Sequence, residues 1–180
     1  MIPYKRIERK LTKKGVIIDI YEDTIEFQDG NNAKWDFIQH KGAAAIVPMD
    51  EDGNVIMVRQ YRNAVDQYCL EIPAGGLNPG EDMKSCAIRE CEEETGYKAT
   101  DAVHLIDLYT TVAFCNEKIG IYFTRQLVPS EQNLDEGEYL SIERYPLDEL
   151  IAMIHSGKIV DAKTISALTT LKLRLLEQTI

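Results

Sequence analysis

The feature that most constrains the fold is a glycine- and proline-rich segment that leads directly into an amphipathic helix. Residues 71–99 read EIPAGGLNPGEDMKSCAIRECEEETGYKA. The spacing predicts a loop around Gly75 and then a helix over about 82–95, ended by Gly96. One face of this helix carries five residues at i, i+3, i+4, i+7 and i+11 spacing, namely Met83, Cys86, Ala87, Glu90 and Glu94. An apolar stripe therefore continues directly into two carboxylates.

These carboxylates have two interpretations. The plain one is a solvated acidic helix end. Against it, Glu90 and Glu94 continue the apolar face, and like charges at i, i+4 destabilise a helix. Acidic residues near the C-terminal end also oppose the helix dipole. We therefore expect a compensating cation, and clustered hard oxygen atoms suit Mg²⁺ or Mn²⁺ rather than zinc.

The rest of the chain predicts an α+β protein. Residues 1–41 predict three or so antiparallel strands, built from the runs VIIDIY and TIEFQD, the turn GNN and the run AKWDFI. A sheet of that size folds poorly alone. Residues 42–180 form the second predicted region, with strands near 43–48, 55–60, 69–72, 103–109, 119–126 and 140–144, and a polar loop at 127–138. Helical spacing also begins at Leu147 and at about Asp161.

Charge and cysteine content exclude several classes of protein. Lys plus Arg number 20 and Asp plus Glu number 30, for a net charge of −10, so we expect no general affinity for nucleic acid. No uncharged stretch approaches the ~20 residues of a membrane-spanning helix, and the first residues lack the apolar core of a secretory signal. The four cysteines have no C-x-x-C spacing. We therefore expect reduced thiols, a cytoplasmic location and no membrane partner.

The segment that starts at Gly75 resembles the Nudix box, G-x5-E-x7-R-E-U-x-E-E-x-G-U, where U is a bulky apolar residue. Every fixed position is met, by Gly75, Glu81, Arg89, Glu90, Glu93, Glu94 and Gly96. Cys91 and Tyr97 stand at the two U positions, where we expect them to affect packing only. The resemblance implies a Nudix fold, which is an α/β/α sandwich with a mixed sheet, here preceded by the small N-terminal antiparallel sheet.

The resemblance also implies a divalent metal site. Glu90 and Glu94 would be its main ligands, and Glu93 would share or orient them. The carbonyl of Ala74 would add an oxygen ligand, and Glu138 could bind a metal when its loop closes. Such a site, loaded with Mg²⁺ or Mn²⁺, would hydrolyse the pyrophosphate of a nucleoside diphosphate linked to another group.

Other positions in the box would support this site. Arg89 would pair with Glu81 or Glu93 and hold the ligands in place, which makes it a positioning residue; an ordinary surface ion pair is the alternative. The glycine-rich turn at Gly75 and Gly76 would let the backbone approach a diphosphate closely.

Outside the box the chain resembles the ADP-ribose pyrophosphatase branch. The resemblance rests on VRQYRNA from Val58, LEIPAGGLNPGE from Leu70 and VDAKTISAL from Val160. It implies a homodimer in which the N-terminal sheet is exchanged between subunits. It also implies nucleotide contacts by Arg62, whose planar fork suits phosphate or ribose, and by Glu71, which suits an adenine amino group. Arg59 is a further candidate contact, and solvated strand ends are the alternative for both arginines.

An acidic loop would supply the base that activates water. The segment EQNLDEGEYLSIE carries Glu136 and Glu138 on either side of Gly137, a candidate hinge. By the resemblance Glu136 matches the loop base of the branch; a plain acidic surface loop is the alternative. The segment TTVAFCNEK departs from the S-P-G-x-x-x-E form of relatives but keeps Glu117 at the acidic position, where it would contact the substrate.

Three functions remain open at this point. The first is hydrolysis of ADP-ribose to AMP and ribose 5-phosphate, or of a related nucleoside diphosphate sugar. The second is a nucleotide-sugar pyrophosphatase acting on GDP-mannose or ADP-glucose, and the departure at residues 111–117 bears on this choice. The third is a non-catalytic Nudix-like domain that binds a nucleotide. Such domains typically lose glutamates of the box, whereas this chain keeps them.

Overall fold

A computed structural model describes residues 2–180 of the chain. These residues form two compact units. The first comprises residues up to 42 together with 109–118, and the second comprises residues 43–108 and 119–180. Residues 109–118 join the first unit through Ile38, whose N–H donates to the carbonyl of Phe114 at 2.7 Å. The division of the chain into residues 1–41 and 42–180 as two domains stays a prediction.

The first unit contains a three-stranded antiparallel sheet. Its strands are β1 (Tyr4–Lys14), β2 (Asp19–Phe27) and β3 (Asn32–Gln39), in the order β1-β2-β3. The sheet was expected, but its strands differ from the prediction. The runs VIIDIY and TIEFQD belong largely to one strand, and the basic segment before them is the strand that pairs with it. Cross-strand charge explains this register, since Arg9 donates two hydrogen bonds of 2.6 Å to Asp23.

The second unit is built around strands that alternate between two faces. In β4 (Ala43–Pro48), Ala44 and Ile46 pack with residues of helix α1 (Met83–Thr95), and Ala43, Ala45 and Val47 pack in a separate apolar cluster with residues of helix α3 (Ala162–Leu176). The sheet is therefore covered by helices on both faces. This arrangement is the expected α+β sandwich.

Two larger sheets and one small sheet make up the strands of this unit. A mixed sheet has the order β7-β4-β10-β9, in which β4 is parallel to β10 and antiparallel to β7. An antiparallel sheet has the order β12-β5-β6, and β11 pairs with β8. The remaining strands are β5 (Asn54–Arg62), β6 (Gln67–Glu71), β7 (Ala74–Gly76), β8 (Tyr97–Ala99), β9 (Val103–Tyr109), β10 (Lys118–Thr124), β11 (Leu127–Pro129) and β12 (Leu140–Pro146).

The helices agree closely with the sequence pattern. Helix α1 begins after Asp82, whose side chain accepts from the N–H groups of Lys84 and Ser85, and ends at Gly96 with φ of 68°. Helix α2 (Leu147–His155) and helix α3 also lie where the spacing predicted them. None of the helices within residues 2–180 is long and apolar enough to cross a membrane.

One part of the predicted loop at 127–138 was wrong. Residues Leu127–Pro129 form β11 and pair with β8, directly after the helix. Both strands are only three residues long. Strands this short carry no readable alternation, so the pairing is specified by tertiary contacts rather than by local pattern.

Candidate active site

Helix α1 brings the carboxylates of the box inward. Cys86, Ala87 and Cys91 are fully buried against β4. Glu94 continues that face and is 1% exposed, and the side chain of Glu90 is 12% exposed. The prediction that the apolar stripe runs into two inward carboxylates is therefore confirmed.

Glu94 is a buried acid with little compensation. Its Oε2 accepts one hydrogen bond, of 3.1 Å, from the N–H of Ala74 in β7. The pKa of Glu94 is raised to about 8, and burial is the main cause. The charges of Glu90 and Glu138 act in the same direction, whereas the N–H of Ala74 and the charge of Arg62 act against it. A group of this kind holds either a proton or a cation at neutral pH.

Glu90 packs directly against the glycine-rich turn. A Cβ atom at Gly75 would fall 1.9 Å from Glu90 Oε1, so only glycine leaves room for this carboxylate. At Gly76, in contrast, a Cβ would meet nothing within 4 Å. Burial raises the pKa of Glu90 as well, although a hydrogen bond from Arg89 opposes the shift. The two glycines of the predicted phosphate turn thus have different structural requirements.

Arg89 ties the acidic residues of the box together. Its Nε and Nη2 donate to Glu81 at 2.8 and 3.0 Å, and its Nη1 donates to Glu93 at 2.8 Å and to Glu90 at 2.6 Å. Nη2 also donates to the carbonyl of Gly76 at 3.1 Å. The hydrogen bond to Glu81 is the main cause of the raised pKa of Arg89. The predicted pairing with Glu81 and Glu93 is confirmed, and Glu90 is an additional partner.

The donor set fits a hard divalent cation. The available atoms are the carboxylate oxygens of Glu90, Glu94 and Glu138 and the carbonyl of Ala74, which are the ligands that Mg²⁺ and Mn²⁺ prefer. Among residues 2–180, no three His, Cys, Asp or Glu side chains converge closely enough to hold an ion as they stand. Arg89 donates a hydrogen bond of 2.6 Å to the carboxylate of Glu90. A bound ion would compete with that hydrogen bond.

A second group of charges lies at the end of β5 and β6. Arg62 donates from Nε and Nη2 to the two carboxylate oxygens of Glu71, each at 2.7 Å. Lys163 of α3 also contacts Glu71 and donates to Asp161 at 3.0 Å. Burial disfavours the charge of Glu71, but Arg62 and Lys163 outweigh that effect and lower its pKa.

These contacts refine the predicted nucleotide-binding residues. The sequence singled out Arg62 and Glu71, and the structure brings them together as partners of each other. Both carboxylate oxygens of Glu71 are already occupied, so its contact with an adenine amino group stays a prediction. Lys163 and Asp161 were not identified from the sequence. The available signal was the run VDAKTISAL, in which Asp161 has the position of a helix N-cap.

Arg59 and Glu117 have partners of their own. Arg59 donates to both oxygens of Glu143 on the neighbouring strand β12, at 2.5 and 3.1 Å, and Tyr145 also donates to Glu143. This contact excludes a freely solvated Arg59. Glu117 lies in the first unit, where it accepts from Thr110 at 2.8 Å and lies 3.5 Å from Nδ1 of His40. The substrate contacts of Arg59 and Glu117 stay predictions.

The acidic loop lies beside β5. A cavity of about 460 Å³ is lined by Gln60, Tyr61 and residues 135–139 of the loop. Gly137 at the centre has a φ of 85°, a conformation that favours glycine. The charge of Glu138 adds to burial in raising the pKa of both Glu90 and Glu94. Glu136 lines the cavity, and its role as a base stays a prediction.

Comparison with known proteins settles the family. The family model of the NUDIX domain matches residues 39–168. The chain belongs to the Nudix family. An ADP-ribose pyrophosphatase of Bacillus subtilis is 32% identical to this Nudix protein over 172 residues, which cover 94% of this chain and 93% of that one. A methanol dehydrogenase activator of Bacillus methanolicus is 34% identical over the same coverage.

A solved structure supports the same fold. The crystal structure of an ADP compounds hydrolase superposes on this Nudix protein with a TM-score of 0.86 and 24% sequence identity, covering 97% of this chain and 95% of the other. The relatives place the chain in the ADP-ribose pyrophosphatase branch, and the chain is a Nudix hydrolase. Nudix hydrolases generally use divalent metal ions, in agreement with the hard oxygen donors on α1.

Proposed function

We propose that this Nudix hydrolase cleaves the pyrophosphate bond of ADP-ribose to give AMP and ribose 5-phosphate, with Mg²⁺ or Mn²⁺ as its ion. The observation that carries the proposal is the buried pair Glu90 and Glu94, whose like charges and raised pKa values call for a cation on the inner face of the Nudix helix. Relatives named ADP-ribose pyrophosphatase support the choice of substrate.

One group of residues would hold the metal ion, and Arg89 would position them. Glu90, Glu94, the Ala74 carbonyl and Glu138 would hold the ion. An ion held there would supply neutralisation of phosphate charge and activation of water for attack on phosphorus. Arg89 keeps Glu90 and Glu93 in place through its hydrogen bonds.

Substrate binding and proton transfer fall to other residues. Arg62 would bind the anionic part of the nucleotide, because a guanidinium that is fixed on one edge still presents donors on the other. Glu136 would take the proton of the attacking water, since it lies on a loop whose glycine hinge would allow it to approach. Arg59, Glu71, Gly75 and Gly76 complete the proposed substrate contacts of the second unit, and Glu117 stays a candidate substrate contact by the family resemblance alone.

Product identification tests this proposal directly. The purified enzyme is incubated with Mg²⁺ and one substrate at a time: ADP-ribose, ADP-glucose or GDP-mannose. The products are separated by ion-exchange chromatography. We expect AMP and ribose 5-phosphate from ADP-ribose at the highest kcat/KM of the three. Faster turnover of GDP-mannose would favour the nucleotide-sugar alternative, and no turnover of any of them would overturn the proposal.

A second candidate function comes from the Bacillus methanolicus relative, which is 34% identical over 94% of this chain. The chain would then also activate a methanol dehydrogenase. The test is methanol oxidation by such a dehydrogenase with and without the added chain, using Glu94→Gln as the control for pyrophosphatase activity. An unchanged oxidation rate would exclude this candidate.

We also propose a homodimer joined through the N-terminal sheet. Strand β1 is an edge strand of eleven residues and carries exposed apolar side chains, among them Ile7 and Leu11, each 46% exposed. Light scattering during size-exclusion chromatography would give the mass of two chains. A cytoplasmic location is part of the same proposal and is supported by the free thiols of Cys69, Cys86, Cys91 and Cys115.

A further inference from the structure

The first turn of helix α3 is fastened to the segment that precedes the metal-site strand β7. Asp161 caps this helix by accepting from the N–H of Thr164 at 2.9 Å and from its hydroxyl at 2.6 Å. The same hydroxyl oxygen accepts from the N–H of Ile72 at 3.0 Å, and Thr164 is fully buried. The run VDAKTISAL therefore supports the backbone that leads to Ala74, whose N–H donates to Glu94.

Lys163 completes a balanced cluster of four charges in the same place. Its ammonium group contacts Glu71 and Asp161, and its side chain is 11% exposed. Arg62 supplies the second positive charge, so two cations face two carboxylates. Buried charges are tolerated when they are paired in this way, and removal of one member leaves another uncompensated.

Arg62 differs from Lys163 in having one edge free. It donates to Glu71 through Nε and Nη2, while Nη1 makes no hydrogen bond to any residue within 2–180. Its side chain is 42% exposed, whereas that of Glu71 is 3% exposed. The charge of Arg62 also lowers the pKa of Glu94, so the guanidinium lies within electrostatic reach of the proposed metal ligands.

We propose that Lys163 is a positioning residue for substrate binding, which acts through Glu71 to hold the free edge of Arg62 toward the anionic part of a nucleoside diphosphate. This inference rests on the proposed function. With Lys163 present, Glu71 is neutralised from two sides, and Arg62 needs only one edge to complete the pairing. Without it, Arg62 alone faces the negative charges of Glu71 and Asp161, and Asp161, which already interacts with Arg62 through its charge, would draw the free edge away from the substrate. Within residues 2–180, Lys163 donates hydrogen bonds to Glu71 and Asp161, and neither of them is a proposed metal ligand.

The test is a split between KM and kcat. In Lys163→Met, we expect KM for ADP-ribose to rise about tenfold or more, the scale on which a partner behind a ligand-binding group acts, while kcat at saturating Mg²⁺ stays within about twofold. Lys163→Arg restores the charge and should bring KM back to within about threefold of the wild type. The matched control is Lys172→Met, which removes an ion pair between the same helix and Asp148 of α2 and should leave both constants unchanged.

Other outcomes would overturn the inference. An unchanged KM in Lys163→Met would show that Lys163 serves only the fold. So would a rise in KM that is accompanied by a fall in kcat and in Tm and that Lys163→Arg does not rescue. Both results would leave the proposed function intact, because the wild type would still turn over ADP-ribose. If the wild type turns over none of the nucleotide sugars, the proposed function fails before any variant is made, and the role of Lys163 falls with it.

Discussion

Two buried glutamates of this protein have opposite electrostatic surroundings. Glu94 is 1% exposed and Glu71 is 2% exposed. Burial together with the charges of Glu90 and Glu138 raises the pKa of Glu94 to about 8. Burial acts in the same direction on Glu71, but Arg62 and Lys163 lower its pKa below the ordinary value.

The difference shows what distinguishes a candidate reactive carboxylate from a structural one. Burial disfavours the charged form of both residues, and the neighbouring charges then decide which charge state of each carboxylate the fold favours. Glu71 is compensated within the chain and can serve as a fixed anchor. Glu94 is not, and an uncompensated buried carboxylate marks the place where a cation from solution would bind.

The largest expected effect is on catalysis at Glu94. Glu94→Gln removes a proposed metal ligand, and we expect turnover of ADP-ribose to fall by roughly 10²–10⁴-fold. The matched control is Glu92→Gln on the outer face of the same helix, where Glu92 pairs with Lys98 and Ser130. Steady-state assays of both variants check this, and a fully active Glu94→Gln enzyme would contradict the assignment.

The next effect concerns stability at Glu71. Glu71→Gln leaves Arg62 and Lys163 without their shared carboxylate, so we expect the free energy of unfolding to fall by about 3 kcal/mol. Glu143→Gln removes the more exposed pair with Arg59 and should cost no more than about 1 kcal/mol. Urea denaturation measures both changes. Equal losses in the two variants would mean that the cluster around Glu71 is no more than a surface ion pair.

A smaller effect separates the two glycines of the turn. In Gly75→Ala the new methyl group would overlap the carboxylate of Glu90, which must move, and overpacking of this kind costs about 1–3 kcal/mol. The displaced ligand should also weaken activation by Mg²⁺. Gly76→Ala has open space and is the control. Titration of activity against Mg²⁺ gives the comparison, and identical curves for the two variants would refute the steric role of Gly75.

A further effect is a pH dependence of the free energy of unfolding, measured in EDTA. The folded-state pKa of Glu94 is raised from 4.5 to about 8, so its contribution to stability is complete below pH 4.5 and is lost as pH rises through about 8. The lowered pKa of Glu71 gives a contribution present above pH 4.5 and lost in acid. Between pH 5 and 9 the wild type should therefore lose stability, and Glu94→Gln should lose less. Parallel curves from urea denaturation would argue against a raised pKa at Glu94.

Protonation of the Glu94 carboxylate should also control the affinity for metal ions. Because an ion must displace the proton of Glu94, apparent affinity for Mn²⁺ should increase with pH until about 8 and then level off. Isothermal titration calorimetry at several pH values provides the measurement. A pH-independent affinity would show that Glu94 is already ionised in the metal-free protein.

The sequence was most informative where the determinants are local. Helix α1, its cap at Asp82 and its end at Gly96 follow from residues within a single segment, and so do the partners of Arg89. Contacts between segments that lie far apart in the sequence could not be predicted from it. Lys163 meets Glu71 across 92 residues and Arg59 meets Glu143 across 84 residues, and no spacing rule reports such pairs.

The N-terminal strands show the same limit in another form. The basic run before Gly15 was not recognised as a strand, because its alternation is obscured by lysines and by register shifts near Arg6 and Leu11. Only the pairing with Asp23 and its neighbours reveals why this segment is extended. Strand identity in a small sheet therefore depends on the partner strand as much as on the strand itself.

The two cysteines of the Nudix helix have a chemical consequence. Cys86 and Cys91 are fully buried, and burial raises the pKa of each thiol to about 12. Electrophiles and peroxides react with thiolates, so these two positions are protected in the folded chain. Cys69 is buried as well, which leaves Cys115 as the only one of the four with intermediate exposure. The two thiols of this helix are thereby shielded from oxidation, and a thiol-directed probe would have Cys115 as its accessible point of attachment.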